Sequence, residues 1–227
     1  MRYSHFTRFF ALLLLLVPAT LAQDNKDKPK TPETEKNVAP TPQKPANPTP
    51  LRQKGSPLQF PEVDGWEKSE LKKYPQPELG YSVNYDAEGG NRVSIYVYNG
   101  GRKDIRDSLG GAVKSEIERA KAEIYAVAEM GVYSDVKEEK SDTTKIGGAS
   151  GKIDTLRKVL SYKSRGAAQH SEIYIFPFEA HFVKVRATRP KSLGKEAEEA
   201  VTKLLAEIET LFLKYLEMHD AARSAQP

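Results

Sequence analysis

The sequence contains no cysteine. This excludes a disulfide framework, a thiol nucleophile, lipid attachment through cysteine, and any thiolate-ligated zinc or iron–sulfur centre. Stability must come from an apolar core, and about 160 residues are enough to build one. A membrane-length apolar run is missing too. The stretch Phe9–Val17 has nine residues, whereas spanning a bilayer takes about 20. The globular part also lacks a basic surplus. Residues 59–227 hold 26 Lys/Arg against 27 Asp/Glu, so the chain's net charge of +4 belongs to its first 58 residues. A polyanion binder needs a concentrated basic surface, and nucleic-acid binding is not expected.

What is present begins with a leader. Arg2 and Arg8 precede Phe9-Phe10-Ala11, five leucines and Val17, then Pro18, with Thr20 and Ala22 at the small-residue positions of a cut before Gln23. That order defines a secretory signal peptide over 1–22. Cleavage there would leave no stable membrane span. Residues 23–58 hold eight of the fifteen prolines among Lys, Thr, Gln, Asn and Glu. Such a segment buries too little to offset its ordering entropy, and its proline spacing favours an extended spacer. It reads as a disordered proline-rich tether.

The remainder, 59–217, alternates between two periods, with a frayed tail expected over 218–227. Leu79, Tyr81, Val83 and Tyr85, then Val93, Ile95 and Val97, recur at every second position, which predicts strands. A weaker strand is expected over 66–73. Leu109, Val113, Ile117, Ala120, Ile124 and Val127 recur at helical spacing, Glu116 and Glu123 lie on the polar side, and Gly131 is a natural stop. Residues 132–147 are charged and poorly patterned, with a strand near 133–138. Further strands are predicted over 153–163, 170–176 and 182–188. A helix over 194–217 follows, with Ser192 as its N-cap. Hairpin connections give an α+β fold: an antiparallel sheet of about five to seven strands with both amphipathic helices on one face.

If one face is buried, register follows from polarity. Ile175 is expected opposite Val183, Glu172 opposite Arg186, Tyr174 opposite Lys184 and Phe176 opposite Phe182. The polar face would then display Arg157, Lys163, Glu172, Tyr174, Phe176, Phe182, Lys184 and Arg186. Arginine and exposed aromatics are enriched at interfaces, so these eight form the candidate binding face. The element order, the segment Phe182-Val183-Lys184-Val185-Arg186-Ala187-Thr188 and the helix after it resemble the PsbP-like α/β sandwich, over about 66–217. That is a family of exported photosynthetic accessory proteins and their bacterial relatives. The resemblance implies the sandwich fold and an exported accessory role; no residue role is carried over.

Other chemistry finds little footing. Gly147-Gly148-Ala149-Ser150-Gly151-Lys152 has Ile146 and Ile153 where a phosphate-binding loop needs Gly and Ser or Thr, so it reads as a turn. His170 and His181 are separated along their hairpin by more than about 20 Å, too far to share a metal. Ser161 and Lys163 come near His170, without an oxyanion-hole pattern. No cofactor, metal or catalytic residue is expected. The leading expectation is an exported non-enzymatic module whose sheet face meets an envelope protein or an anionic surface component. The rivals are an exported hydrolase of envelope polymers and a small-ligand carrier with an apolar cavity.

Overall fold

The computed structural model describes residues 58–106 and 108–224. The leader and all but the last residue of the expected tether lie outside them. That last residue, Leu58, belongs to the core: it is buried, and its backbone N–H donates to the Tyr81 hydroxyl at 3.2 Å.

Among the described residues, eight strand segments form one antiparallel sheet. They are β1 (Glu67–Lys68), β2 (Lys72–Lys73), β3 (Tyr81–Ala87), β4 (Asn91–Tyr98), β5 (Tyr133–Lys145), β6 (Asp154–Ser164), β7 (Ala167–Phe178) and β8 (His181–Pro190). The order is β1-β3-β4-β8-β7-β6-β5, with β2 also on β3. Helix α1 (Gly111–Glu129) links β4 to β5, and α2 (Gly194–Ser224) follows β8. The α1 stop at Gly131 is as the sequence indicated. The N–H of Gly131 reaches the Ala128 carbonyl and that of Val132 the Val127 carbonyl, a Schellman closure that needs the left-handed φ of +76° found at the glycine. Two expectations shift around α2. Ser192 lies within a 3-10 turn, Lys191–Leu193, rather than capping the helix, and the helix runs to Ser224, through most of the expected tail.

The two helices lie on opposite faces of the sheet, which corrects the expectation that they share one. Val201, Leu204, Leu205, Ile208, Phe212 and Tyr215 of α2 pack with Val83, Tyr85, Val93, Ile95, Tyr174, Phe176, Val183 and Val185. Val113, Ile117, Ala120 and Ile124 of α1 pack with Tyr98, Leu160, Tyr162, Ile173, Ile175 and Phe182. Consecutive strand residues point to opposite faces, so both sides of the central strands are buried. Phe212 is the hub of the α2 layer, edge-on to Phe60, Phe176 and Phe178. A fully buried side chain of this kind contributes about 1.5–3 kcal/mol.

Burial on both faces removes the premise used to set the β7–β8 register, and the register differs by one residue. Ile175 lies opposite Lys184, Phe176 opposite Val183, Tyr174 opposite Val185, Ile173 opposite Arg186 and Glu172 opposite Ala187. The cause is the turn. Phe178 pairs with His181, leaving a two-residue loop, Glu179-Ala180, with φ of +46° and +57°. Two left-handed residues make a type I′ hairpin, whose twist suits the flanking strands. The sequence signal for that turn is Asn or Gly, and neither is present. Lys184 and Arg186 are thereby placed on the α1 face, in the same rows as Ile173, Ile175 and Phe182.

Residues 132–147, poorly patterned in sequence, include β5, the longest strand at 13 residues. It is a sheet edge, paired only with β6, and its register shifts between Ser134 and Lys137 and again between Glu138 and Lys140. Bulges and charge on an edge strand suppress pairing with other chains. They also break the two-residue period.

The turn assignment makes a prediction. Ala180→Gly removes a left-handed alanine, and the net gain is about 0.5–1 kcal/mol after the larger unfolded-state entropy of glycine is counted. Urea unfolding should show a raised midpoint with unchanged slope; a lowered midpoint would contradict a type I′ turn at 179–180.

Candidate functional site

The eight candidate residues do not share a face. Arg157, Lys163, Glu172, Tyr174 and Phe176 lie on the α2 side; Phe182, Lys184 and Arg186 lie on the α1 side. Phe176 and Phe182 are both fully buried in the core. Lys163 is exposed and paired with Asp135 at 2.9 Å.

On the α2 side a chain of charges crosses four strands. Asp142 of β5 accepts two hydrogen bonds from Arg157 of β6, at 2.9 and 2.8 Å. Arg157 reaches Glu172 of β7 at 3.4 Å, and Glu172 also meets Arg189 of β8 at 3.2 Å. Arg189 continues to Glu198 of α2 at 3.4 Å. Tyr174 donates its hydroxyl to Glu172 at 2.6 Å, and His170 Nε2 lies 3.0 Å from the same carboxylate. Glu172 is only 7 % exposed. Burial alone would raise its pKa, but the His170 and Tyr174 hydrogen bonds and the Arg189 contact hold it down at about 2. Burial together with the Glu172 charge pushes the Tyr174 phenol far up, so it remains a donor. Every member is engaged, which is the arrangement a buried ionic network needs to be tolerated.

The nucleophile–base geometry of a hydrolase is not assembled here. Ser161 sits directly opposite His170, yet its hydroxyl donates to Glu139 at 2.6 Å, and His170 Nε2 is committed to Glu172. Among the described residues, no cluster of three or more His, Asp or Glu has metal-binding geometry. The glycine turn at 147–152 is pinned rather than free. Glu209 of α2 accepts from the Lys152 and Ile153 N–H groups at 2.6 Å each, and a Cβ at Gly147 would come within 3.0 Å of the Ala206 Cα. Beside it lies an open groove of about 440 Å³, lined by Gly147, Ser150, Lys195, Glu198, Thr202 and Lys203 among others. It is an open groove edged by charged and hydroxyl side chains, not the enclosed apolar cavity that a small-ligand carrier predicts.

On the α1 side the charged residues sit against tyrosines. Lys184 Nζ is 3.2 Å from Glu123 and lies over the rings of Tyr96 and Tyr98. Glu116, assigned by helical spacing to the polar side, is only 6 % exposed; it accepts from Tyr98 and pairs with Arg119. Arg186 is half-buried. Its Nε donates to Ser171 Oγ at 3.3 Å, and its Nη2 to the hydroxyls of Tyr162 at 3.0 Å and Tyr133 at 3.4 Å. Those two rings stack at 4.3 Å, and the guanidinium carbon lies about 6 Å from each. Ser171 Oγ in turn meets Thr188 Oγ1 at 3.0 Å. Sequence reasoning picked out Arg186 but missed Tyr133 and Tyr162, because Tyr133 opens the strand whose pattern the bulges obscure.

The described residues therefore define an α+β fold with one antiparallel sheet and a helix on each face. No protein-family model matches the chain, and no curated protein matches it. Among solved structures it resembles the solution structure of cyanobacterial PsbP (CyanoP) from Synechocystis sp. PCC 6803. The two are 12% identical with a TM-score of 0.40, over 65% of this chain and 82% of the other.

Glu172 yields a pH prediction. Its pKa is lowered from 4.5 to about 2, so its stabilisation is complete above pH about 4.5 and is lost as pH falls towards 2. Glu172→Gln should be less stable at neutral pH and should lose less stability between pH 5 and pH 2 than the parent, measured by denaturant midpoints across that range. An unchanged acid dependence in the variant would contradict the role given to this carboxylate.

Proposed function

We propose that this protein is an exported, non-enzymatic accessory module that contacts an envelope protein or an anionic envelope component through the α1-side surface around Arg186. Export rests on the leader read in residues 1–22. Among the described residues no helix is long and apolar enough to cross a membrane. One observation carries the choice of surface. The arginines otherwise withdrawn from solvent, Arg92, Arg157 and Arg189, each hold a carboxylate, whereas Arg186 holds none among the described residues. Withdrawing a charge even partly from water without a counter-charge is unfavourable, and a partner supplying that counter-charge gives the cost a use. The engagement of Ser161 with Glu139 and of His170 with Glu172 favours binding over hydrolysis.

The test is co-sedimentation of the processed full-length chain with isolated envelope. Arg186→Glu should lower the bound fraction at least about fivefold, and about 0.5 M salt should release the parent protein, since charge contacts at the surface are then screened within a few Å. Arg165→Glu, in the exposed β6–β7 turn, should bind like the parent. Equal binding by Arg186→Glu would remove the assignment of this surface.

A further inference from the structure

We infer that Arg186 and the Tyr133 hydroxyl form a recognition site for an oxyanion, a carboxylate or phosphate group carried by the partner. This rests on reading the α1-side surface around Arg186 as the contact surface and adds what that surface takes.

The donor count leads to this chemistry. A guanidinium carries five N–H donors. Nε and Nη2 of Arg186 are occupied by Ser171, Tyr162 and Tyr133. Nη1 has no partner among the described residues, and it is not among their buried, unpartnered atoms. Nη1 therefore keeps some contact with solvent, on a side chain whose other edge is fixed. Tyr133 adds a further donor. Its oxygen already accepts from Nη2, and its own proton remains to be donated. A group meeting these donors must accept at every contact, as the charged oxygens of an ionised carboxylate or phosphate do.

Charge balance gives the sign independently. Arg92, opposite Thr188 on the neighbouring strand, is paired with Asp86. Lys184, two residues along on the same face, is paired with Glu123. Asp86 and Glu123 are thus already engaged, and among the described residues Arg186 has no carboxylate partner for its positive charge. The phenolic oxygens of Tyr162 and Tyr133 offset the burial that works against this charge, and the guanidinium stays protonated. Holding the arginine by hydroxyls and rings also fixes its direction before any ligand arrives, so little rotamer entropy remains to be lost on binding. Had the side chain only a structural role, the free Nη1 edge would contribute nothing.

The test is an NMR titration of the ¹⁵N-labelled, processed full-length chain with two probes, glucuronate for the carboxylate and inorganic phosphate for the phosphate. Affinity on the order of millimolar is expected for a single small anion. Saturable shifts should appear at Ser171, Thr188, Tyr162 and Arg186. Arg186→Gln should weaken binding at least about tenfold, and Tyr133→Phe, which keeps the ring stack, about threefold to fivefold. Circular dichroism on each variant establishes that it is folded. Saturation by glucuronate alone assigns a carboxylate source, by phosphate alone a phosphate source, and by both a site that reads only charge and acceptors. Shifts that never saturate, or that persist in folded Arg186→Gln, would overturn the site. If envelope binding still depended on Arg186 in that case, the accessory-module reading would stand and only the oxyanion assignment would fall.

Discussion

The arrangement of this domain depends on one tight turn. Glu179 and Ala180 both adopt left-handed backbone conformations, and a two-residue loop of that kind leaves a single way to align the strands it joins. Phe178 then faces His181, and every pair from there to Gln169 and Pro190 is fixed. A slip of one residue would send each β8 side chain to the other face. Val183, Val185 and Ala187 would leave the α2 layer, and Lys184 and Arg186 would enter it. The turn therefore decides which helix meets which chemistry: α2 receives an aliphatic and aromatic layer, and α1 a layer in which two cations lie among tyrosines.

That division explains how a domain without disulfides tolerates so much withdrawn charge. On the α2 side, beyond the apolar layer, Asp142, Arg157, Glu172, Arg189 and Glu198 alternate in sign across the sheet and neutralise one another. A buried pair is costly to break because the remaining partner stays charged and dry, so such a chain favours one register. Glu209 works in a similar way on backbone. Its carboxylate satisfies two N–H groups of the glycine-rich turn and ties α2 to the β5–β6 connection. On the α1 side neutralisation is incomplete. Lys184 has Glu123, but among the described residues Arg186 meets no carboxylate, and its partners are hydroxyls and ring faces, each a weaker partner than a carboxylate. This asymmetry between the faces is the observation on which the proposed anionic contact rests.

The elements were legible in sequence where one period dominates. The alternation from Tyr81 to Tyr85 and from Val93 to Val97 gave β3 and β4, and the spacing from Val113 to Val127 gave α1, down to its glycine stop. The register was not legible, for a physical reason. Polarity fixes pairing only when one face is wet, and here helices cover both. Lys184 and Arg186 looked like solvent-face residues, but tyrosines on neighbouring strands supply their surroundings. Arg186, Lys184, Glu172 and Arg157 were all identifiable as interaction-prone side chains. Their distribution over two faces was not, because it depends on a turn built from Glu and Ala. Gly147 and Gly151 similarly suggested a loop with freedom to move. Their smallness instead lets the turn approach α2 closely, and a contact with a helix more than fifty residues away leaves no local trace.

The absence of cysteine makes the register directly measurable. In the structure the Ser171 and Thr188 hydroxyls touch at 3.0 Å, whereas Ser171 and Ala187 point to opposite faces. Ser171→Cys combined with Thr188→Cys should form an intramolecular disulfide under mild oxidation, seen as the loss of two hydrogens by intact mass. Ser171→Cys combined with Ala187→Cys should remain reduced while folded. Cross-linking of the second pair and not the first would contradict the register, and with it the placement of Arg186.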